Sequence, residues 1–219
     1  MISSATSTKE RILDTAERLF ARDGFEATSL RAITAEANVN LAAVNYHFQS
    51  KDALVRAVIG RRMGPVNEKR IAMLEACEAA AGDGPLPLDP VLDAFMLPVL
   101  EISRSHAKDF GPLMGRLYTE PGEFIQHVFK DHLEEVGRRF VSAFQRALPD
   151  LGPAELTWRL HFVIGAMTHT IGAGKLLQFL SRGQCDPSDI EGTMQRLRTF
   201  LLAGLIAPAS DHQVHHAIS

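Results

Sequence analysis

The chain has 219 residues, of which 46% are hydrophobic, and this is enough to bury the core of one or two compact domains. Its net charge of -3 gives no general attraction to nucleic acids or to acidic membranes. No apolar run is long enough to span a bilayer, and residues 1–10 lack the pattern of a secretory leader, so we expect a cytoplasmic protein. Cys77 and Cys185 are far apart and lack metal-ligand spacing, so neither a disulfide nor a zinc site is expected.

Apolar residues recur at helical spacing along the whole chain, and no segment alternates with period two for long enough to be a strand. The pattern therefore predicts an all-α protein. Ser7 and Glu10 read as a capping box that begins the first helix, and Gly24 ends it. A second helix is predicted from about Ser29 to Ala37.

The stretch NVNLAAVNYHF, residues 38–48, predicts a short third helix. Asn40 can cap it, and the apolar stripe then consists of Leu41, Val44 and Phe48. Two short helices joined by a tight turn, with a longer helix packed across both, form a helix-turn-helix. The second helix of such a motif enters a DNA major groove, so Asn45 suits base edges, while phosphate oxygens suit Tyr46, His47 and Lys51. The spacing alone is also compatible with an ordinary solvated turn between two surface helices that does not bind DNA.

The remaining two-thirds of the chain is predicted to be helical as well. Ser50 caps a helix that we expect to kink or end at Gly64–Pro65, because proline lacks an amide hydrogen. Two glycines and three prolines between Gly82 and Pro90 predict a loop. Further helices are expected near Pro90–Ser105, Lys108–Tyr118, Gly122–Leu148, Pro153–Leu180 and Ser188–Leu205. The predicted organisation is a DNA-binding domain over residues 1–50, a connecting helix over 51–81, a ligand-binding and dimerisation domain over 82–210, and a flexible tail over 211–219.

Residues 11–54 resemble the DNA-binding domain of the TetR family of transcriptional regulators almost position by position. Two motifs carry this resemblance, and they comprise Gly24, Phe25, Thr28, Ser29, Arg31 and Ile33, and then Tyr46, His47, Phe48, Ser50 and Lys51. The resemblance implies an N-terminal helix-turn-helix domain, a C-terminal helical domain, and a homodimer that binds a palindromic operator in double-stranded DNA. It also implies the DNA contacts, which are Ser29, Arg31, Asn40, Ala42, Asn45, Tyr46, His47 and Lys51. Leu41 departs from the family, where a basic or small polar residue often begins the recognition helix.

Dimerisation through the last two long helices is implied by the same resemblance. The apolar stripe expected at this contact consists of Ile190, Met194, Leu197, Leu201 and Leu205. Small residues in the preceding helix, between Gly165 and Gly174, would allow close helix packing or leave room for a ligand.

The C-terminal domain carries residues that could form an elongated apolar pocket with a few polar groups. The candidate ligand-binding residues are Met114, Arg116, Tyr118, Trp158, His161, Phe162 and His169. They could equally be core and interface residues. The stretches NLAAVNYHF and WRLHFVIGA, with the break at residues 63–65, resemble a fatty-acid-responsive branch of the family, which implies a long-chain acyl effector, either a fatty acid or an acyl-CoA. Arg116 would be the first choice for its head group.

Two other functions are compatible with parts of the sequence. A small helical enzyme could use His161 or His169 with a carboxylate, but the sequence contains no nucleophile motif, phosphate-binding glycine loop or HExxH motif. A dimeric DNA-binding protein without an effector is the other alternative. The sequence predicts no cofactor, no metal site and no catalytic residue. The histidines of the tail, His212, His215 and His216, are expected to lie in a flexible end rather than to bind a metal.

Overall fold

A computed structural model describes residues 7–105, 110–119 and 123–209, and every regular element in these ranges is a helix. The all-α prediction is confirmed. No helix among these residues is both long and apolar enough to cross a membrane. The helices are α1 (Thr8–Asp23), α2 (Leu30–Glu36), α3 (Leu41–Phe48), α4 (Lys51–Ala81), α5 (Leu88–Ser105), α6 (Phe110–Thr119), α7 (Glu123–His132), α8 (Glu134–Ala147), α9 (Pro153–Gly172), α10 (Gly174–Leu180) and α11 (Ile190–Ile206).

The first helix begins and ends where its sequence signals predict. The Ser7 hydroxyl accepts a hydrogen bond from the amide of Glu10 at 3.2 Å. Gly24 ends α1 with a φ of 94°, a left-handed conformation that glycine adopts without steric cost. The Glu10 carboxylate pairs with Arg61 of α4 at 3.1 Å, so this side chain contributes to helix packing as well as to the start of α1.

The helix α4 runs without interruption from Lys51 to Ala81 and contains Pro65 in its interior. The alternative that the helix ends at Gly64–Pro65 is therefore wrong. Proline removes one backbone hydrogen bond, but the flanking side chains hold both halves of α4 against the rest of the protein. The buried residues on both sides of the proline include Ile59, Met63, Val66 and Leu74.

Two of the predicted long helices are each divided in two. The helix expected over residues 122–148 is interrupted at Leu133, whose φ of -124° is not helical, and gives α7 and α8. The helix expected over residues 153–180 is interrupted at Ala173 and gives α9 and α10. At the first break, the side-chain amide of Asn67 in α4 donates to the carbonyl oxygen of His132 at 2.6 Å. A tertiary hydrogen bond thus satisfies a carbonyl group at the end of α7.

The sequence between residues 122 and 148 predicts an apolar stripe that consists of Ile125, Phe129, Leu133, Val136, Phe140 and Phe144. The stripe packs into the core where its side chains are described. Phe140 and Phe144 are fully buried, and the ring of Phe95 from α5 lies 5.1 Å from that of Phe140. The side chains of Ile125 and Phe129 lie outside the described residues. The core of the C-terminal region is therefore built from helix-on-helix contacts around α4 and α5.

The apolar stripe of α11 packs within its own chain. Leu197, Leu201 and Leu205 are buried, and Arg198 holds α11 to α5 through ion pairs with Asp89 and Asp93 at 2.9 and 2.8 Å. The prediction that these three leucines form the dimer contact is therefore wrong, because the period of a stripe does not tell which partner covers it. The division into domains stays a prediction, and the tail over residues 211–219 lies outside the described residues.

Candidate DNA-binding surface and effector cavity

The turn between α2 and α3 has a left-handed residue at its centre. Asn38 has a φ of 51°, a conformation that asparagine tolerates better than most residues. Arg11 of α1 donates to the carbonyl oxygen of Asn38 at 3.4 Å. The Asn40 side-chain oxygen accepts from the amide of Ala43 at 2.8 Å, so Asn40 caps α3 as predicted. These contacts fix the start of α3 relative to α1.

The helix α3 has one buried and one exposed face. Val44 and Phe48 are buried in the core of the N-terminal helices. Leu41 was expected to belong to the same stripe, but it is 44% exposed and stands on the outer surface beside the helix start. Asn45 is exposed, and Tyr46 is 84% exposed.

The outer face of α3 therefore presents Leu41, Ala42, Asn45 and Tyr46 together. An asparagine amide can bond an adenine edge with two hydrogen bonds, and an apolar side chain can contact a thymine methyl group. Leu41 is thus a base-contact candidate, although the apolar period of α3 predicts a core position for it. Its position directly after the N-cap was the signal that could have found it.

The remaining candidate DNA contacts surround α3. The Ser29 hydroxyl accepts from the amide of Ala32 at 3.1 Å, so Ser29 caps α2, and Arg31 is exposed in the first turn of that helix. The Lys51 ammonium donates to the carbonyl oxygen of Glu26 at 3.0 Å, which holds it beside the loop between α1 and α2. The His47 ring is partly exposed and contacts the edge of the Tyr46 ring at 5.1 Å. The structure thus brings all eight predicted DNA-binding residues to the α2–α3 region and the start of α4.

A buried ion-pair cluster joins these N-terminal helices to α4. The Glu17 carboxylate, which is almost completely buried in α1, accepts from Arg61 at 2.5 Å and from Arg62 at 2.6 Å. Burial opposes the charge on Arg61, but the hydrogen bonds that Arg61 donates to the carboxylates of Glu17 and Asp14 outweigh it, so the pKa of Arg61 is raised above its ordinary value. Since removing one partner of a buried pair costs several kcal/mol, this cluster holds α4 firmly against α1.

A cavity of about 120 Å³, partly open to solvent, lies farther along α4. Its walls come from α4, α5, α6, α8, α9 and the residue between α7 and α8, and they are mainly apolar. Arg70 and Thr168 supply the polar side chains among the described residues that line it. The full lining is Met63, Arg70, Phe95, Val99, Met114, Leu133, Val136, Gly137, Ile164, Met167, Thr168 and Ile171.

The structure does not bring the predicted ligand-binding residues to one place. Met114 lines the cavity. Arg116 instead donates to the carbonyl oxygen of Arg22 at the end of α1, at 3.3 Å, so it faces the N-terminal helices. The side chain of Tyr118 lies outside the described residues.

The other four predicted ligand residues lie on the exposed side of α9. Trp158 and Phe162 stack with ring centroids 5.8 Å apart, and His161 contacts both rings. His169 lines a separate surface groove of about 590 Å³ between α9, α10 and α11. No cluster of three metal-ligating side chains occurs in the described ranges.

Comparison with known proteins gives two family matches. Residues 12–58 match the model of the bacterial regulatory proteins of the tetR family. Residues 93–204, about half of the chain, match the tetracyclin repressor-like C-terminal domain. The two matches cover the helix-turn-helix and most of the C-terminal helices.

Curated relatives and solved structures agree with these matches. The nicotine-responsive transcriptional repressor HdnoR of Paenarthrobacter nicotinovorans is 25% identical over 144 residues, which cover 65% of this chain and 72% of HdnoR. The transcriptional repressor KstR of Rhodococcus jostii is 25% identical over 147 residues, 67% of this chain and 62% of KstR. The fatty acid degradation regulator FadR of Bacillus halodurans superimposes with a TM-score of 0.57 at 14% identity, over 86% of this chain and 96% of FadR. At this level of identity, the similarity to FadR shows a shared fold and nothing more.

The relatives are transcriptional regulators, and this excludes the alternative of a small helical enzyme. The N-terminal match and the exposed face of α3 agree on the part of the chain that binds DNA. The chain therefore belongs to the TetR family of bacterial transcriptional regulators.

Proposed function

We propose that two copies of this chain bind a palindromic DNA duplex, with α3 of each copy in the major groove, and that a small apolar effector releases the DNA. The observation that carries the proposal is the two-sided character of α3. Val44 and Phe48 are buried, whereas Leu41, Asn45 and Tyr46 are exposed. The eight residues of α3 include no acidic side chain that would repel phosphates. A twofold axis would set the two helices about 34 to 36 Å apart, which is one turn of DNA.

Adding a carboxylate to this face tests the DNA contact. Asn45→Asp changes an amide into an acid of the same shape, and we expect it to abolish binding to a duplex enriched by the protein from a random-sequence pool. Gln126→Glu makes the same chemical change on an exposed residue of α7 and should leave binding intact. Fluorescence anisotropy of the labelled duplex measures both. If both variants bind the labelled duplex with equal affinity, the proposal that α3 contacts DNA is contradicted.

The proposed dimer contact is the exposed side of α9, α10 and α11. Trp158 and Phe162 on α9 and Phe200 on α11, which is 70% exposed, form its aromatic part. No residue of α10 is buried, and Leu176 and Phe179 are exposed there, so this short helix extends the same apolar surface. At about 150 to 250 Å² per aromatic side chain, the surface offers on the order of 800 Å² per chain, which is what a standard interface needs.

Sedimentation of two matched variants tests the dimer. Phe162→Glu puts a charge in the centre of the proposed contact and should give a monomer at micromolar concentration. Val141→Glu changes an exposed apolar residue of α8 and should stay dimeric. If Phe162→Glu also sediments as a dimer, another surface joins the two copies.

The effector is proposed to occupy the cavity beside Met114 and Leu133. Its walls include α4, and α4 is joined to α1 by the Glu17 cluster, so a ligand that moves α4 also moves the DNA-binding helices. The volume of about 120 Å³ is below the range of roughly 300 to 1,000 Å³ found for drug-sized ligands. A long-chain acyl effector would therefore have to widen the cavity.

A series of saturated fatty acids tests the size of the effector. Each buried methylene contributes about 0.8 kcal/mol until the space is full. Calorimetry should show affinity that rises with chain length and then falls once the chain exceeds the cavity. Affinity that continues to rise up to hexadecanoate would support the long-chain acyl effector, and a flat series would exclude apolar burial as the source of binding.

A further inference from the structure

Leu41 is the first residue of α3, and its side chain is 44% exposed. The core of the N-terminal helices instead takes Val39, Ala43, Val44 and Phe48 from this segment. A single exposed leucine is ordinary on a protein surface. The meaning of Leu41 therefore depends on the residues that surround it.

The exposed residues around Leu41 are those that the proposed DNA contact uses. Asn45 lies one helical turn later on the same side of α3, and Ala42 and Tyr46 form a second exposed pair with the same spacing. The Asn40 side chain caps the helix, which fixes the first turn of α3. Leu41 thus has a defined position on the surface that is proposed to enter the major groove.

The base edges in the major groove offer one apolar group to a side chain of this kind. This group is the C5 methyl of thymine, whereas the other groups on these edges are hydrogen-bond donors and acceptors. A leucine placed against a donor or an acceptor would exclude water from it without replacing the lost hydrogen bond. Contact with a methyl group removes apolar surface of both partners from water. The chemistry of Leu41 therefore favours thymine over the other three bases.

We infer that Leu41 contacts the methyl group of a thymine in each half-site and selects thymine at that position. The inference rests on the proposal that α3 binds in the major groove, and it adds a base and the residue that recognises it. Four residues of helix span about 6 Å, and successive bases of a strand lie about 3.4 Å apart. The thymine therefore lies within about two base pairs of the base that Asn45 contacts.

Replacing thymine by deoxyuridine removes the methyl group and keeps the base pair. Each thymine of the duplex enriched by the wild-type protein is replaced in turn, together with its symmetry mate, and fluorescence anisotropy gives the affinity. At one such pair, binding should weaken by on the order of ten-fold, because each buried methyl group contributes about four-fold. An enriched site without a constant thymine in each half-site, or equal affinity for every deoxyuridine duplex, would overturn the inference.

Leu41→Ala assigns the methyl contact to Leu41. This variant should bind the thymine duplex more weakly than the wild-type protein does, and deoxyuridine at the sensitive pair should then change its affinity by less than about two-fold. Val141→Ala is the matched control, because Val141 of α8 has a similar exposed fraction, 49%, and it should keep the full loss. A ten-fold loss that persists in Leu41→Ala would refute the role of Leu41.

Asn45→Asp separates this inference from the proposed function. If Asn45→Asp abolishes DNA binding while Leu41→Ala keeps the methyl preference of the wild-type protein, α3 binds DNA and the inferred role of Leu41 is wrong. If Asn45→Asp binds the duplex as tightly as the wild-type protein does, the proposed position of α3 is wrong and the inference fails with it. Loss of binding in Asn45→Asp together with loss of the methyl preference in Leu41→Ala would support both.

Discussion

Gly60→Ala tests the contact between α4 and the end of α7. A methyl group added at Gly60 would lie 2.7 Å from Cε1 of the His132 ring, well inside van der Waals contact. The ring cannot move away freely, because its Nε2 donates to the carbonyl oxygen of Arg56 at 3.1 Å. The backbone of His132 is also held, since its carbonyl oxygen accepts from Asn67.

The expected change in stability follows from two opposing contributions. Overpacking costs roughly 1 to 3 kcal/mol, and displacing the His132 ring loses a hydrogen bond of about 1 kcal/mol. Alanine in place of glycine in a helix interior gains about 1 kcal/mol. We therefore expect Gly60→Ala to lower the free energy of unfolding by about 1 to 3 kcal/mol.

The sign of the change in the free energy of unfolding distinguishes the steric contact with the His132 ring from the effect of helix propensity. In a His132→Ala background, the added methyl group meets no ring, so Gly60→Ala should raise the free energy of unfolding. Gly137→Ala in α8 is the control, because a methyl group there has no neighbour within 4 Å, and it should stabilise the protein. Urea unfolding followed by circular dichroism measures the wild-type protein and the four variants. If Gly60→Ala stabilises the wild-type protein as much as Gly137→Ala does, the His132 contact does not restrain α4.

Three further predictions concern DNA binding and its release. Asn45→Ala should weaken binding to the selected duplex by about 1 to 3 kcal/mol and relax the choice of one base, as read from anisotropy on single-base variants of the site. Lys51→Ala should weaken binding to all duplexes alike and reduce the slope of log K against log salt by about two per dimer; altered base preference with an unchanged slope would contradict this division of roles. Replacing both Gly64 and Pro65 by alanine restores a backbone hydrogen bond to α4, and it should prevent the tightest-binding fatty acid of the series from releasing DNA while leaving DNA affinity intact. Unchanged release in that variant would mean that the proline does not take part in transmission.

The features that the sequence predicted correctly are those controlled by neighbouring residues. Ser7, Ser29, Asn40 and Ser50 each cap a helix because the bonded amide lies three residues later in the chain. The exposed position of Asn45 follows in the same way from the buried positions of its neighbours on a short helix. Local hydrogen bonding and periodicity are sufficient for such features.

The features that the sequence did not predict depend on contacts between distant segments. The break at Leu133 interrupts a continuous apolar pattern, and Asn67, more than sixty residues earlier, satisfies the carbonyl group next to it. Leu201 was expected at a subunit contact because periodicity cannot distinguish a core from an interface. Arg116 was chosen as the head-group partner, yet Arg70 lines the cavity, because which arginine faces inward depends on how α4, α5 and α6 pack.

Selection of duplexes from a random-sequence pool by the wild-type protein tests the central proposal most directly. Two copies of α3 related by a twofold axis should enrich a palindrome whose half-sites are centred about one helical turn apart, roughly 10 base pairs. Asn45→Asp, selected in parallel, should enrich nothing. Enrichment of a sequence without twofold symmetry, or of the same sequences by Asn45→Asp, would contradict a dimeric regulator that reads DNA through α3.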